Sequence, residues 1–344
     1  MEPVTLGVDL GRSEIRLFDG EAPIHYPALA GGPVRSIARG SSRHVEDHPQ
    51  DTMTVRAGRL THTLGRLALE QPMVFPASGV DLFEDELAFV HLLGALGLAA
   101  RHHRAQGTFR VRLGLAVPQI HARREAELEA SLDAWRGVHR YEFCGQPVAV
   151  AIDQIDVLPR TLAAVYAATM DSVIDPGPDT TLGVIDAGHV ATDWMVARLP
   201  RELPRFGGFT QAVAGIRLVE AVEEVLRDAG VVRIDPMAAL EASLDGVYVD
   251  GRVRVEMPEG LLDEILELMA QQLALTLRQA WRDLSVDQVL LTGGLGARLA
   301  PWLEGHKALP GLVVAAEPRH SVVQGAYHFE FRQPGPESAA PVEA

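Results

Sequence analysis

Three short loops, each behind an apolar strand, hold the residue types that could grip a phosphate-bearing ligand. The first reads Asp9-x-Gly11-x-x-x-x-Arg16. A glycine there lets a hairpin backbone bring its N–H groups close to phosphate oxygens, an aspartate can hold a hydrated magnesium, and Arg16 adds positive charge. The second, Asp186-x-Gly188 followed by Asp193, admits the same chemistry at a terminal phosphate. The third, Gly293-Gly294-Leu295-Gly296, stands between a strand and a helix start, where missing side chains let a ligand lie against the backbone. It lacks the Lys-[Ser/Thr] of a Walker loop and comes too late in the chain for a first-strand dinucleotide fingerprint. Singly, each Asp-Gly loop is ordinary turn chemistry. One in each half of the chain, followed by the glycine-rich loop, is an ordered set.

Each loop needs strands behind it, and the pattern supplies them. Residues 4–8 and 14–19 read as a β-turn-β unit, and residues 181–185 and 194–199 as its counterpart in the second half, a weak internal duplication. Between them, apolar spacing predicts helices over 87–101 and 122–135, a strand over 110–117, a strand or strand pair over 148–157, and a helix from 161 opened by Pro159. Residues 20–85 read as a small mixed subdomain. Beyond the second loop, a helix over 215–228, short strands at 247–249 and 253–256, a long helix over 260–283, and strands at 288–292 and 311–315 complete the pattern.

A length of 344 residues suits two lobes rather than one core. Residues 1–179 form the first, with its small subdomain at about 22–85; residues 180–332 form the second, with an insertion at about 230–272; residues 333–344 are expected to be disordered. With 46 acidic against 31 basic residues the formal charge is −15, which repels nucleic-acid backbones and anionic lipid, so neither is expected as a direct partner. The longest apolar stretch, 89–100, is too short to span a bilayer, and the start lacks a signal-peptide pattern. A lone cysteine, Cys144, suits a reducing compartment, and the expected location is the cytoplasm.

The ordered set of phosphate loop, phosphate loop and glycine-rich loop resembles the actin, Hsp70-type chaperone and sugar kinase superfamily over most of residues 4–332. Tyr26-Pro27-Ala28, Val55-Arg56-Ala57-Gly58-Arg59 with Leu64-Gly65, Gly114-Leu115-Ala116-Val117-Pro118 and Gln324-Gly325-Ala326-Tyr327 resemble elements of ParM-type plasmid-segregation actins and their archaeal relatives. The resemblance implies an α/β, two-lobed actin-like (ribonuclease H-like) fold with a nucleotide cleft between the lobes. It implies ATP (or GTP) with Mg2+ as cofactors. Asp9 and Asp186 would hold the metal through water, Gly11, Arg12, Ser13 and Arg16 the β-phosphate side, and Gly188, His189 and Val190 the γ-phosphate. Asp193 would position the attacking water. Gly293, Gly294, Leu295 and Gly296 would line the adenosine, with Gly215, Arg217 and Glu220 near ribose and base, and Gln324 at the final helix start.

Two positions depart from the family. Relatives tend to read Gly-x-Thr-Thr-Asp where this chain has His189, Val190, Ala191, Thr192 and Asp193, so a hydroxyl contact to the γ-phosphate is missing. Arg160 stands where ParM-like proteins carry a water-polarising glutamate, and arginine cannot act as a base at neutral pH. Either Asp193 does that work or Arg160 serves transition-state charge, so hydrolysis is expected to be slow or differently arranged, with Asp186, Asp193 and Arg160 as its residues. The activity implied is an ATPase coupled to self-association into filaments, with a DNA-bound adaptor protein as the partner for plasmid segregation. A small-molecule kinase of the same superfamily and a non-hydrolysing FtsA- or PilM-like scaffold are the alternatives.

Overall fold

The first hairpin joins β1 (Val4–Leu10), whose last five residues are all buried, to β2 (Glu14–Phe18) in an antiparallel pair. The chain is described as a computed structural model over residues 2–34, 53–58, 60–70, 74–76, 86–118, 125–175, 177, 179–198, 205–210, 214–251 and 253–332. The same sheet takes in β3 (Ile24–Pro27), β4 (Leu29–Val34), β5 (Met53–Ala57), β6 (Leu60–Leu64), β7 (Val74–Pro76), β8 (Thr108–Val117), β9 (Gly137–Phe143) and β10 (Gln146–Pro159). Its order is β3-β2-β1-β8-β10-β9-β5-β6-β4-β7, with β1, β8 and β10 parallel at the centre. Strands so placed are covered on both faces where they are buried, and the last five residues of β8, Leu113–Val117, are apolar or glycine and all buried.

Successive residues of β1 point to opposite faces. Leu6 and Val8 join a core with Leu92, Leu96 and Ala99 of α1 (Glu86–His102). On the opposite face, Gly7 and Gly114 leave room for the backbone of the last helix: a side chain at either would strike the carbonyl oxygen of Val323 or Ala326. The remaining helices are α2 (Glu125–Trp135), α3 (Arg160–Met170), α4 (Ile216–Asp228), α5 (Pro236–Asp245), α6 (Leu261–Ala280), α7 (Gly296–Leu303) and α8 (Ser321–Arg332).

A second sheet is built from β11 (Leu182–Ala187), β12 (Ala191–Ala197), β13 (Arg205–Thr210), β16 (Gln288–Thr292) and β17 (Leu312–Val314), in the order β13-β12-β11-β16-β17. A separate ribbon pairs β14 (Val247–Asp250) with β15 (Val253–Glu256). α3 and α8 lie between the two sheets. Ala164, Val165 and Ala168 of α3 pack with Val184, Met195 and Leu290 of the second sheet, while Ala163 packs with Ala116, Val322 and Ala326. Gly325 makes this close: a methyl there would meet the Ala163 carbonyl. The final helix, which follows the second sheet in sequence, therefore returns to the first.

A second bridge joins the 3-10 helix Gly65–Glu70 to α5. Leu29, Ala68 and Met237 are buried together, Arg66 pairs with Glu241 at 2.8 Å, and Arg233 Nη2 donates to the Leu69 carbonyl at 2.8 Å.

Several elements differ from the sequence expectation. β9 is a separate strand hairpinned to β10, β13 completes an edge, α5 occupies part of the expected insertion, and β12 begins at Ala191 rather than 194. The expected tail 333–344, parts of 22–85 (35–52, 59, 71–73 and 77–85), the first residues of the helix expected at 122–135, and Pro176 and Pro178 lie outside the described residues. Among the described residues no helix is long and apolar enough to cross a membrane.

Candidate functional site

Asp9 stands one residue before the end of β1 and is the register partner of Arg16 on β2. Its Oδ2 accepts from Arg16 Nη1 at 3.1 Å. Its Oδ1 accepts from Arg160 Nε at 2.9 Å and lies 2.7 Å from Arg160 Nη2, which also donates to the Leu10 carbonyl at 3.3 Å. Arg16 Nη2 reaches on to Glu14 Oε2 at 2.8 Å, and Arg319 pairs with the same carboxylate. A chain of alternating charge, Arg319–Glu14–Arg16–Asp9–Arg160, thus runs along one wall. Burial works against the ionised form of Glu14, yet Arg16 and Arg319 outweigh it and hold the carboxyl down at about 2. Burial likewise opposes the Arg160 charge, and Asp9, Asp186 and Asp193 more than offset it. Arg12 differs: among the described residues no acceptor pairs with it, and burial followed by the charge of Arg160 lowers its pKa.

The second hairpin carries the opposite sign. Asp186 on β11 and Asp193 on β12 are register partners, and Thr292 of β16 flanks Asp186 on its other side. Burial, then Asp193 and Asp9, push the Asp186 carboxyl up to about 7 against the opposing pull of Arg160 and Arg16. Gly188 shapes the turn, its N–H donating to Ala191 O at 3.0 Å. The loop is tied to the start of α4, because the N–H of Gly215 donates to Gly188 O (3.1 Å) and that of Ile216 to His189 O (2.7 Å). Burial takes the His189 imidazole down to about 4, so it is neutral at neutral pH and brings hydrogen bonding without charge.

The glycine-rich loop closes the ring. Gly293 has φ of 90°, and a Cβ there would stand 2.5 Å from Asp186 Oδ1, so both conformation and space require glycine. Leu295 N donates to Ala187 O at 3.0 Å and Gly293 N to Pro318 O at 2.9 Å, which fixes the loop against the second hairpin. A Cβ at Gly294 would meet nothing within 4 Å.

Around these loops lies a cavity of about 360 Å³. Of the residues expected from sequence, Asp9, Gly11, Arg12, Ser13, Arg16, Arg160, Asp186, Gly188, His189, Val190, Asp193, Gly215, Gly293, Gly294 and Leu295 line it. Arg217, Glu220, Gly296 and Gln324 are not among its lining; Gln324 instead donates to Glu317 at 2.8 Å. Sequence reasoning missed Glu14, Pro118, Leu240, Ser243, Leu244, Arg319 and Val322. Leu240, Ser243 and Leu244 share one face of α5 by their three- and four-residue spacing. That helix had a visible start signal in Asp235-Pro236: Asp235 accepts from Met237 N at 2.7 Å and Ala238 N at 3.1 Å, and proline occupies the first turn. Arg319 had no such signal, since its partner Glu14 is distant in sequence.

The hydrated magnesium expected at Asp9 does not fit this arrangement, because guanidinium groups hold both carboxylate oxygens. Nor does any group of three or more His, Cys, Asp or Glu side chains among the described residues form a protein-only metal cluster.

No known family model matches the chain, and no curated protein sequence matches it. Solved structures do match in shape. An archaeal actin homologue, Ta0583, in complex with ADP superposes with a TM-score of 0.75 at 16% identity, covering 95% of this chain and 99% of that one. ParM from a 15-stranded filament of Clostridium botulinum gives 0.73 at 16% identity over 97% and 100%. The actin-like protein Alp7A gives 0.70 at 13% identity over 95% of each. From the order of its strands to the ring of three loops, the chain has the actin-like fold, and within it resembles the ParM-type proteins.

Proposed function

We propose that this chain binds a purine nucleoside triphosphate, ATP or GTP, in the cleft between two lobes, 1–179 and 180–332, and that hydrolysis there governs its self-association into filaments. The observation that carries the reading is the convergence of both Asp-Gly hairpins and the glycine-rich loop on one cavity, with Arg12 in its wall and no acceptor for it among the described residues. Phosphate oxygens supply the acceptors a guanidinium needs. Arg12, with the hairpin backbone at Gly11 and Ser13, would hold the inner phosphates, and the loop at Gly188, His189 and Val190 the terminal one. Gly294, open to the cavity, and the apolar side chains Leu240, Leu244 and Leu295 suit the flat faces of a base.

Asp193 is the residue best placed by type to orient water at the terminal phosphate, with Arg160 supplying positive charge as negative charge develops. The filament, a DNA-bound adaptor protein and a cytoplasmic location belong to the same proposal, supported by the likeness to ParM.

Purified full-length chain is mixed with ATP or GTP, and fluorescent-nucleotide binding, phosphate release and 90° light scattering are followed together. Binding with nucleotide-dependent scattering is the expected result. Binding and turnover that need an added small molecule, without scattering, would replace the filament reading with a kinase.

A further inference from the structure

We infer that Arg160 takes the place of the divalent cation beside Asp9, so that this chain binds its nucleotide without magnesium. The inference rests on the nucleotide reading above and concerns what balances charge in that site.

Magnesium held through water needs carboxylate oxygens free to accept from its octahedral water shell. A carboxylate has about four acceptor positions on its two oxygens. Arg160 takes one on Oδ1 through Nε and brings Nη2 within 2.7 Å of the same oxygen, and Arg16 takes one on Oδ2 through Nη1. The carboxylate itself is only 2% exposed, so solvent does little to screen what surrounds it. A dication arriving there meets two guanidinium groups already paired to its intended ligand, and their repulsion opposes entry.

Arg160 also supplies what a cation would supply. It opens α3 directly behind Pro159, whose backbone pairs with Val117 in the central parallel strands, so the guanidinium sits on a rigid mount. Its Nε and Nη2 are engaged by Asp9 and Leu10, and its Nη1 has no acceptor among the described residues. Arg160 lines the cavity. A planar donor group of this kind binds phosphate oxygens in a fixed geometry. Arg12 lines the same cavity and adds a second guanidinium, one with no acceptor among the described residues.

Equilibrium binding of fluorescent ADP and ATP to the full chain tests this in paired buffers, one with magnesium and one with EDTA. Wild-type affinity is expected to agree between the buffers to within about fivefold, and Arg160→Gln to lose about tenfold or more in EDTA, the cost of one charge-assisted contact. Arg160→Lys, which keeps the charge without the fork, is expected to fall between, with a circular-dichroism melt checking that both variants fold. Wild-type binding that weakens more than about fivefold in EDTA overturns the inference while leaving the nucleotide reading intact. So does Arg160→Gln binding in EDTA as tightly as wild type. Absence of binding in both buffers removes both.

Discussion

Asp186 and Asp193 stand directly opposite each other on β11 and β12, two buried carboxylates in register at the edge of the cavity. Like charges so placed destabilise a sheet. Asp193→Asn is therefore expected to leave stability unchanged or raise it by up to about 1 kcal/mol in urea denaturation. The same change should lower phosphate release by about a hundredfold or more if Asp193 orients water. A variant that hydrolyses normally would take Asp193 out of the chemistry.

Gly293→Ala combines a positive φ with a collision against the Asp186 carboxylate. A cost of about 1–3 kcal/mol is expected from the backbone conformation alone. Nucleotide affinity should fall with it, because the displaced aspartate and loop share one wall. Equal urea midpoints for variant and wild type would show that the loop relaxes freely.

Glu330 is fully buried on α8, 2.9 Å from Arg112 of β8. Burial, with the neighbouring Asp156 adding to it against the pull of Arg112, raises its carboxyl to about 8. Because the folded state holds this proton above the ordinary range, its contribution to stability is full below about pH 4.5 and drains away as pH rises through about 8. Glu14, held at about 2, has the opposite sign: its contribution is present above pH 4.5 and is lost as pH falls toward 2. Urea midpoints from pH 5 to 9 should decline in wild type and decline less in Glu330→Gln, where Asp186, also raised, keeps part of the slope. A decline as steep in the variant as in wild type assigns it elsewhere.

Met237 closes the small bridge between the 3-10 helix Gly65–Glu70 and α5. Met237→Ala should loosen that contact by about 1–2 kcal/mol, and stopped-flow release of fluorescent ADP should quicken by about fivefold or more. Unchanged release would mean that the ligand escapes by a route the bridge does not guard.

Both hairpins were legible because each combines a short apolar strand, an Asp-x-Gly turn and a second strand, signals contained within about fifteen residues. β13 was not: Arg205-Phe206-Gly207-Gly208-Phe209-Thr210 carries two glycines that weaken its strand signal, and its pairing with β12 makes it one. The side chains of the cavity divided the same way. Arg16 lies on the same hairpin as Asp9, so its role could be read locally, whereas the Arg160–Asp9 and Arg319–Glu14 pairs join residues 151 and 305 positions apart. Arg217 and Glu220 are absent from the lining for the converse reason: they sit on the expected helix, but helix membership does not say which face a cavity will meet.

The return of α8 to the first sheet sets an order of events during synthesis. β1 leaves the ribosome some three hundred residues before the helix that packs against its Gly7. Until residues 321–332 emerge, one face of the central parallel strands lacks the helix that packs against Gly7 and Gly114, and a nascent chain presents that surface to whatever is nearby. A chain cut short before α8 should therefore fail in its amino-terminal half, far from the missing piece.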